Sequence, residues 1–354
     1  MLPDSKPQRR LSAAVVPIRD TDRTWGGGRS AAWPHNPGRD DQWLVENLWG
    51  TRGGSRRELA FVQPAEEVEG LAPAHTDPAK TIVLIHGLWL APPCWASWRS
   101  YYEARGYQVL TPAWPRMEGR LEEIRRDPAR LAGLGLREIT DHYDRLIRAL
   151  PAPPILMGHC LGGLVVQMLL DRGLGAAGVA IHSALPKGVV GLPLGILSSV
   201  WPALSRSFHA NHTVMLPFNV FRSIFANTLS DGEAIKVYQK NIVPGPCRPL
   251  YQSLFSALTS HSDATVNFGN AERAPLLLVA GGADQFAPAE LSRQNYERYG
   301  RSPAVTAFQE FSGRSHLVLV QPGWQVVAGY ALSWAQENAR RDGLTELARG
   351  EGIA

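Results

Sequence analysis

Apolar residues gather along this chain in short β-branched runs closed by glycine or a turn, and these runs alternate with stretches of helical period. The first run, "TIVLIHG" at 81–87, is uncharged throughout, as a strand buried on both faces requires. It is followed by a predicted helix at 95–106, a strand "YQVLTPAWP" at 107–115, a helix at 136–150, a strand "PILMGH" at 154–159, a helix at 161–173 and a strand "GVAIHSA" at 178–184. The rhythm resumes with strand "PLLLVAGG" at 275–282, a helix at 287–300, strand "VTAFQEF" at 305–311 and a helix at 323–341. Strands separated by helices imply right-handed crossovers, hence an α/β fold with a mostly parallel central sheet and helices on both faces.

Two segments break the pattern. Residues 1–55 are basic and rich in glycine and proline, with no apolar period, and read as an N-terminal arm. The core would then run over 56–186 and 271–341, interrupted by an insertion at 187–270 and followed by a tail at 342–354. The insertion opens on "GVVGLPLGILSSVWPALS", whose Pro193 and Pro202 argue against a membrane span. An insertion at the carboxyl edge of an open α/β sheet lies over the ligand crevice, so a helical lid is expected here.

Composition adds mainly exclusions. The chain has 354 residues, 44% hydrophobic and 19% charged, the balance of a globular protein that is not intrinsically disordered. Its net charge of +4 comes with no nucleic-acid-binding motif. Three cysteines, Cys94, Cys160 and Cys247, have no metal-ligand spacing and suit a reducing compartment. A cytoplasmic protein is expected, because "LSAAVVPI" is followed by no cleavage pattern. With no phosphate loop or dinucleotide fingerprint, no cofactor and no metal are expected.

The chemistry concentrates in "GHCLGG" at 158–163, between a predicted buried strand and helix. Gly158 and Gly162 flank Cys160 at two residues either side, where any side chain would collide with the neighbouring strand and helix of a tight turn. Such a turn lifts the sulfur above the sheet edge and aims the helix N-terminus at its target.

This arrangement resembles the α/β-hydrolase superfamily over residues 80 to about 340, and the flanking segments are similar to bacterial lipase- or esterase-like members that carry serine in the elbow. The resemblance implies the order nucleophile, acid, histidine, matched by Cys160, Asp284 in "AGGADQFAP" and His316 in "FSGRSHLVL", each just past a predicted strand. It assigns His86 and Gly87 to the loop of the oxyanion hole, with the amide of Leu88, ahead of Trp89, and that of Leu161 as donors, and His86 itself as structural. His182 and Asp263 are weaker competitors for the acid's place, since a histidine cannot act as that acid.

Cysteine in place of serine changes the intermediate. A thiol ionises near pH 8.5, and more readily beside an imidazole and a helix N-terminus, and its acyl-enzyme is a thioester open to amines and thiols as well as water. Cysteine elbows occur in dienelactone hydrolases, polyhydroxyalkanoate synthases, thioesterases and Dieckmann cyclases. The expected activity is therefore hydrolysis of a hydrophobic ester or thioester, with an acyltransferase or cyclase on the same triad as the alternative and a non-catalytic binding protein behind both. The partner is a small acyl substrate, free or carrier-bound, and neither nucleic acid nor a membrane span is expected. Trp89, Trp95, Trp98, Trp114 and Trp201 are expected near the rim of an apolar acyl site.

Overall fold

The computed structural model of the protein describes residues 80–189, 211–256 and 259–350. Among these, six parallel strands form one sheet: β1 (Thr81–Ile85), β2 (Gln108–Leu110), β3 (Ile155–His159), β4 (Ala177–Ile181), β7 (Leu276–Gly281) and β8 (Thr306–Phe311). The spatial order is β2-β1-β3-β4-β7-β8, with Leu84 of β1 opposite Met157 of β3 and Met157 opposite Val179 of β4. Every residue of β1, β3, β4 and β7 is buried, which is why these strands read as unbroken apolar runs.

The helices follow from the same pattern. The helix α1 (Ala96–Glu103) links β1 to β2, α3 (Leu136–Arg148) precedes β3, α4 (Leu161–Asp171) joins β3 to β4, α7 (Ala289–Arg298) joins β7 to β8, and α8 (Trp324–Gly350) closes the described chain. In α3 the buried residues Leu136, Ile139, Tyr143 and Ile147 recur at helical spacing, the stripe of a surface helix. In α4 every residue from Leu161 to Leu170 is buried, so it lies inside the protein. Right-handed crossovers running in opposite directions from β1 and β3 place α1 and α4 on opposite faces. The sheet order thus reverses between β1 and β3, and the loops leaving their carboxyl ends diverge to leave a crevice.

Three features depart from the sequence reading. β2 stops at Leu110, because it is the sheet's edge strand and Pro112 supplies no amide to a ladder. A short helix, α2 (Leu121–Arg126), follows the β2 loop, with the carboxylate of Glu123 accepting the Arg120 amide at 3.1 Å; its one buried residue, Ile124, is too little for a visible period. The last helix runs on to Gly350, past the expected end at 341.

Of the insertion, the described part holds a two-residue ladder between β5 (Thr213–Val214) and β6 (Gly245–Pro246), a short helix Phe218–Val220, a π-helical turn Phe221–Phe225, α5 (Asp231–Asn241) and α6 (Cys247–Leu254). It is tied to the β1 loop, where Trp89 Nε1 donates to the Val214 carbonyl at 3.0 Å and Val243 N donates to the Trp89 carbonyl at 3.0 Å. The arm at 1–55 and residues 190–205 of the apolar opening lie outside the described residues. No described helix is long and apolar enough to cross a membrane.

Candidate active site

Cys160 caps α4 with φ 56° and ψ −120°, a backbone conformation that costs a non-glycine residue on the order of 1–3 kcal/mol and persists only where the surroundings enforce it. They do so through four hydrogen bonds: its amide donates to Ile181 at 3.0 Å, and its carbonyl accepts from Ala184 (2.9 Å), Gly163 (3.0 Å) and Leu164 (3.4 Å). A Cβ on Gly158 would overlap the carbonyl of Gly162, and one on Gly162 would overlap that of Ile85 and approach that of His86 to 2.7 Å. Overpacking against rigid backbone has no side-chain escape, so Gly162→Ala should destabilise the fold by about 3 kcal/mol or more in chemical denaturation. An unchanged midpoint would show that the turn can open.

The β1 loop lies directly against this turn: a Cβ on Gly87 would stand 2.6 Å from that of Cys160. His86 is fully buried, stacked on Trp114 at 4.8 Å between ring centroids, with Nδ1 3.0 Å from the Gly87 carbonyl and Nε2 accepting the Trp114 amide at 3.3 Å. Burial pulls its pKa down to about 4, so it is neutral and holds the loop. Leu88 sits in that loop, and Leu161 heads α4, where first-turn amides have no partner within the helix.

Asp284 follows β7 and His316 follows β8, and the two loops are stitched together by Gly282 N to the Phe311 carbonyl (2.9 Å) and Ala283 N to the Arg314 carbonyl (3.0 Å). Asp284 Oδ1 accepts the amides of Phe286 and Ala287, each at 2.8 Å. Its Oδ2 lies 2.8 Å from His316 Nδ1 in a well-formed hydrogen bond. His316 is fully buried, and its Nε2 has no nitrogen or oxygen partner among the described residues. Burial alone would lower its pKa, but the Asp284 charge, the electrostatic influence of Cys160 and the hydrogen bond to Asp284 raise it to about 10. Burial acts to raise the Asp284 pKa and is outweighed by the two imidazoles beside it, which leave the carboxyl well below the usual range.

The second imidazole is His182, just past β4, whose Nδ1 is also 2.8 Å from Asp284 Oδ2. That separation is a hydrogen-bond distance, but the ring is turned so that the N–H points off the oxygen, and the contact is weaker than that of His316. A third, His159, ends β3, with Nε2 2.7 Å from the His316 carbonyl. Burial, and then the neighbouring imidazoles, hold His159 well below its usual pKa, and burial lowers that of His182 against the pull of Asp284. The three rings each offer a nitrogen within 4.8 Å of the others, a spacing from which a metal site could be assembled. Asp284 already holds His316 and lies against His182, while His159 is bonded to the His316 carbonyl instead.

Asp263, the competing acid, instead pairs with Arg137 at 2.9 Å and accepts from Gln252 at 2.6 Å. Trp95, Trp98 and Trp114 are core residues at 0–1% exposure, a correction to the rim expected for them, and Trp201 lies outside the described residues. The aromatic walls about His316 are instead Phe225, from the insertion, at 4.6 Å and Phe286 at 4.8 Å between centroids, with Trp89 edge-on to both phenylalanines. Sequence reasoning missed Phe225 because the insertion has no readable period.

A model of the alpha/beta hydrolase family matches residues 82–328. The chain belongs to the alpha/beta hydrolase family. A comparison with curated proteins finds no significant match. Among solved structures, this alpha/beta hydrolase is similar to a monoacylglycerol lipase of Paleococcus ferrophilus at 22% identity, covering 72% of this chain and 94% of that one with a TM-score of 0.51. It is similar to a pyrethroid hydrolase of Sphingobium faniae JZ-2 (18% identity, 74% and 99% covered, TM-score 0.54). Tomato methylketone synthase I, in complex with 2-tridecanone, is a third such structure (15% identity, 73% and 99% covered, TM-score 0.54). At these identities the likeness is one of fold.

Proposed function

We propose that this alpha/beta hydrolase cleaves an ester or thioester of a hydrophobic acyl group through an acyl-enzyme on Cys160. The observation that carries the reading is the chain of contacts at the sheet edge. Asp284 holds Nδ1 of His316 at 2.8 Å, His316 Nε2 is left without a hydrogen-bond partner among the described residues, and Cys160 acts electrostatically on the same imidazole. In this reading Sγ attacks the carbonyl carbon, a C–S bond forms and the carbonyl electron pair moves onto oxygen, where the amides of Leu88 and Leu161 receive it. Collapse expels the alcohol or thiol, which takes its proton from His316 Nε2. Water then gives a proton to Nε2 and attacks the thioester, and the acid leaves as the sulfur is released. The apolar walls of Phe225, Phe286 and Trp89 support a hydrophobic acyl group, as do the chemical names of neighbours that handle monoacylglycerol, a pyrethroid and 2-tridecanone.

The insertion at 187–270 acts as the lid of this site in the same reading, since Phe225 belongs to it and its carbonyl accepts the amide of Leu317, beside His316, at 3.3 Å. Burial of Cys160 at 2% exposure favours transfer to a supplied acceptor as a second reading, because a thioester shielded from water survives to meet an amine or thiol. Incubation with acyl thioesters and activated esters, followed by intact-protein mass spectrometry, should show one acyl adduct that maps to Cys160. Added thiol or amine should divert part of the product from free acid to the acylated acceptor. Turnover with no adduct on Cys160 would overturn the acyl-enzyme, and free acid alone at every acceptor concentration would leave a plain hydrolase.

A further inference from the structure

We infer that His182 is a positioning residue of this site, a second imidazole seated on the Asp284 carboxylate that limits how strongly the acid pulls on His316; the inference rests on the triad reading above. The geometry is specific. Asp284 Oδ1 is occupied by two backbone amides, whereas Oδ2 faces His316 Nδ1 and His182 Nδ1, each at 2.8 Å. His182 reaches that oxygen from a strained backbone, φ 47°, pinned by its amide to the Val279 carbonyl at 2.8 Å. The fold also leaves it a slot: a Cβ on Gly281, at the end of neighbouring β7, would stand 2.5 Å from the His182 Cε1. Strain, a slot and a shared oxygen converge on one ring, which is fully buried, whose Nδ1 makes only the off-axis contact with Asp284 and whose Nε2 has no partner among the described residues. An apolar side chain would fill the same space without the cost of burying that nitrogen, so simple packing does not account for an imidazole here.

The groups facing His182 are Asp284 after β7, His316 after β8 and His159 at the end of β3, the two rings at 6.0 and 6.2 Å between centroids, and the backbone of Cys160 bonds to Ile181 and Ala184 on either side of it. Burial keeps His182 on the neutral side, so it brings a donor dipole to the carboxylate without a second positive charge. A carboxylate that accepts from one imidazole and has the Nδ1 of a second against the same oxygen is a weaker base toward the first. His316 then surrenders its proton more readily to a leaving group, while Asp284 stays fixed in the plane of the His316 bond.

Two substitutions separate this role from packing. His182→Gly removes the ring and suits the positive φ, and His182→Asn keeps an amide donor near the Nδ1 position and also tolerates that backbone. In the glycine variant kcat should fall about tenfold with KM within about twofold, and the basic limb of the pH profile should move up by about one pH unit; asparagine should restore both. The low-field proton resonance of His316 Nδ1–H in the resting protein should titrate at correspondingly higher pH in the glycine variant. A folded glycine variant with wild-type kcat, limbs and titration would make His182 a packing residue. Should the glycine variant not fold, the ¹⁵N imidazole spectrum of the wild-type protein decides, because an unprotonated His182 Nδ1 overturns the inference. The resonance measurements need no turnover, so a missing acyl adduct on Cys160 would defeat the triad reading while leaving the His182–Asp284–His316 coupling measurable.

Discussion

Cys160→Ala should abolish turnover, and Cys160→Ser should retain only about a thousandth of it at pH 7 and recover in part as the pH is raised. The serine form tests the site more sharply. A hydroxyl must hand its proton to His316 during attack, yet Asp284 and the Cys160 sulfur together hold that imidazole protonated, with a pKa of about 10. Replacing sulfur by oxygen removes one of those two contributions and leaves the Asp284 one in place. The sign follows: the serine variant lacks a free base at neutral pH and gains one as His316 deprotonates on the alkaline side, so its rate should climb with pH where the wild-type rate has levelled. Among the three thiols, Cys160 should also alkylate first. All three are buried, so exposure does not rank them. Burial pushes the Cys247 thiol up to about 11 and that of Cys94 further still. Fast labelling of Cys94 or Cys247, with activity surviving in Cys160→Ala, would remove Cys160 from the mechanism.

The sheet was legible in the sequence because burial on both faces leaves no alternative to an apolar run, and each run in β1, β3, β4 and β7 ends in a glycine or a turn residue. The edge strand β2 was overread for the same reason, since "YQVLTPAWP" continues its apolar texture past Pro112 into loop. Cys160, Asp284 and His316 stand out because each follows a strand that ends at one edge of the sheet. His159 and His182 occupy equivalent tips, and histidine at the ends of three strands is the signal that could have revealed the cluster. What no pattern of residues conveys is that two of these rings meet one oxygen, for that depends on the register of β4 against β7 and on a backbone angle at His182 that β-propensity does not anticipate. Phe225 was illegible on different grounds: it reaches His316 from a π-helical turn in an insertion whose apolar residues follow neither a helical nor a strand period.

His316→Ala should lower kcat by about 10⁴-fold or more, while Asp284→Asn should cost markedly less, on the order of 10²-fold. The asymmetry comes from what each group does to the other. In the proposed mechanism, losing the imidazole leaves the leaving group without a proton donor and the attacking water without an acceptor, and the oxyanion donors alone remain. Without the carboxylate charge, His316 is still present, but burial, which opposes the charged ring, is then offset only by the sulfur, and its pKa falls from about 10. The asparagine variant should therefore lose activity most on the alkaline side, where the ring no longer carries a proton, and least in acid. Two backbone amides complicate the exchange: Phe286 N and Ala287 N both donate to Oδ1, so the asparagine must present its carbonyl oxygen to them and its amide to His316, donor facing donor. That forces the imidazole to turn its lone pair toward the amide and its N–H toward the sulfur, the wrong tautomer for a base. Crystal structures or ¹⁵N spectra of the variant would read the tautomer directly. Wild-type kcat and an unshifted alkaline limb in Asp284→Asn would show that another group orients His316, despite the 2.8 Å bond between them.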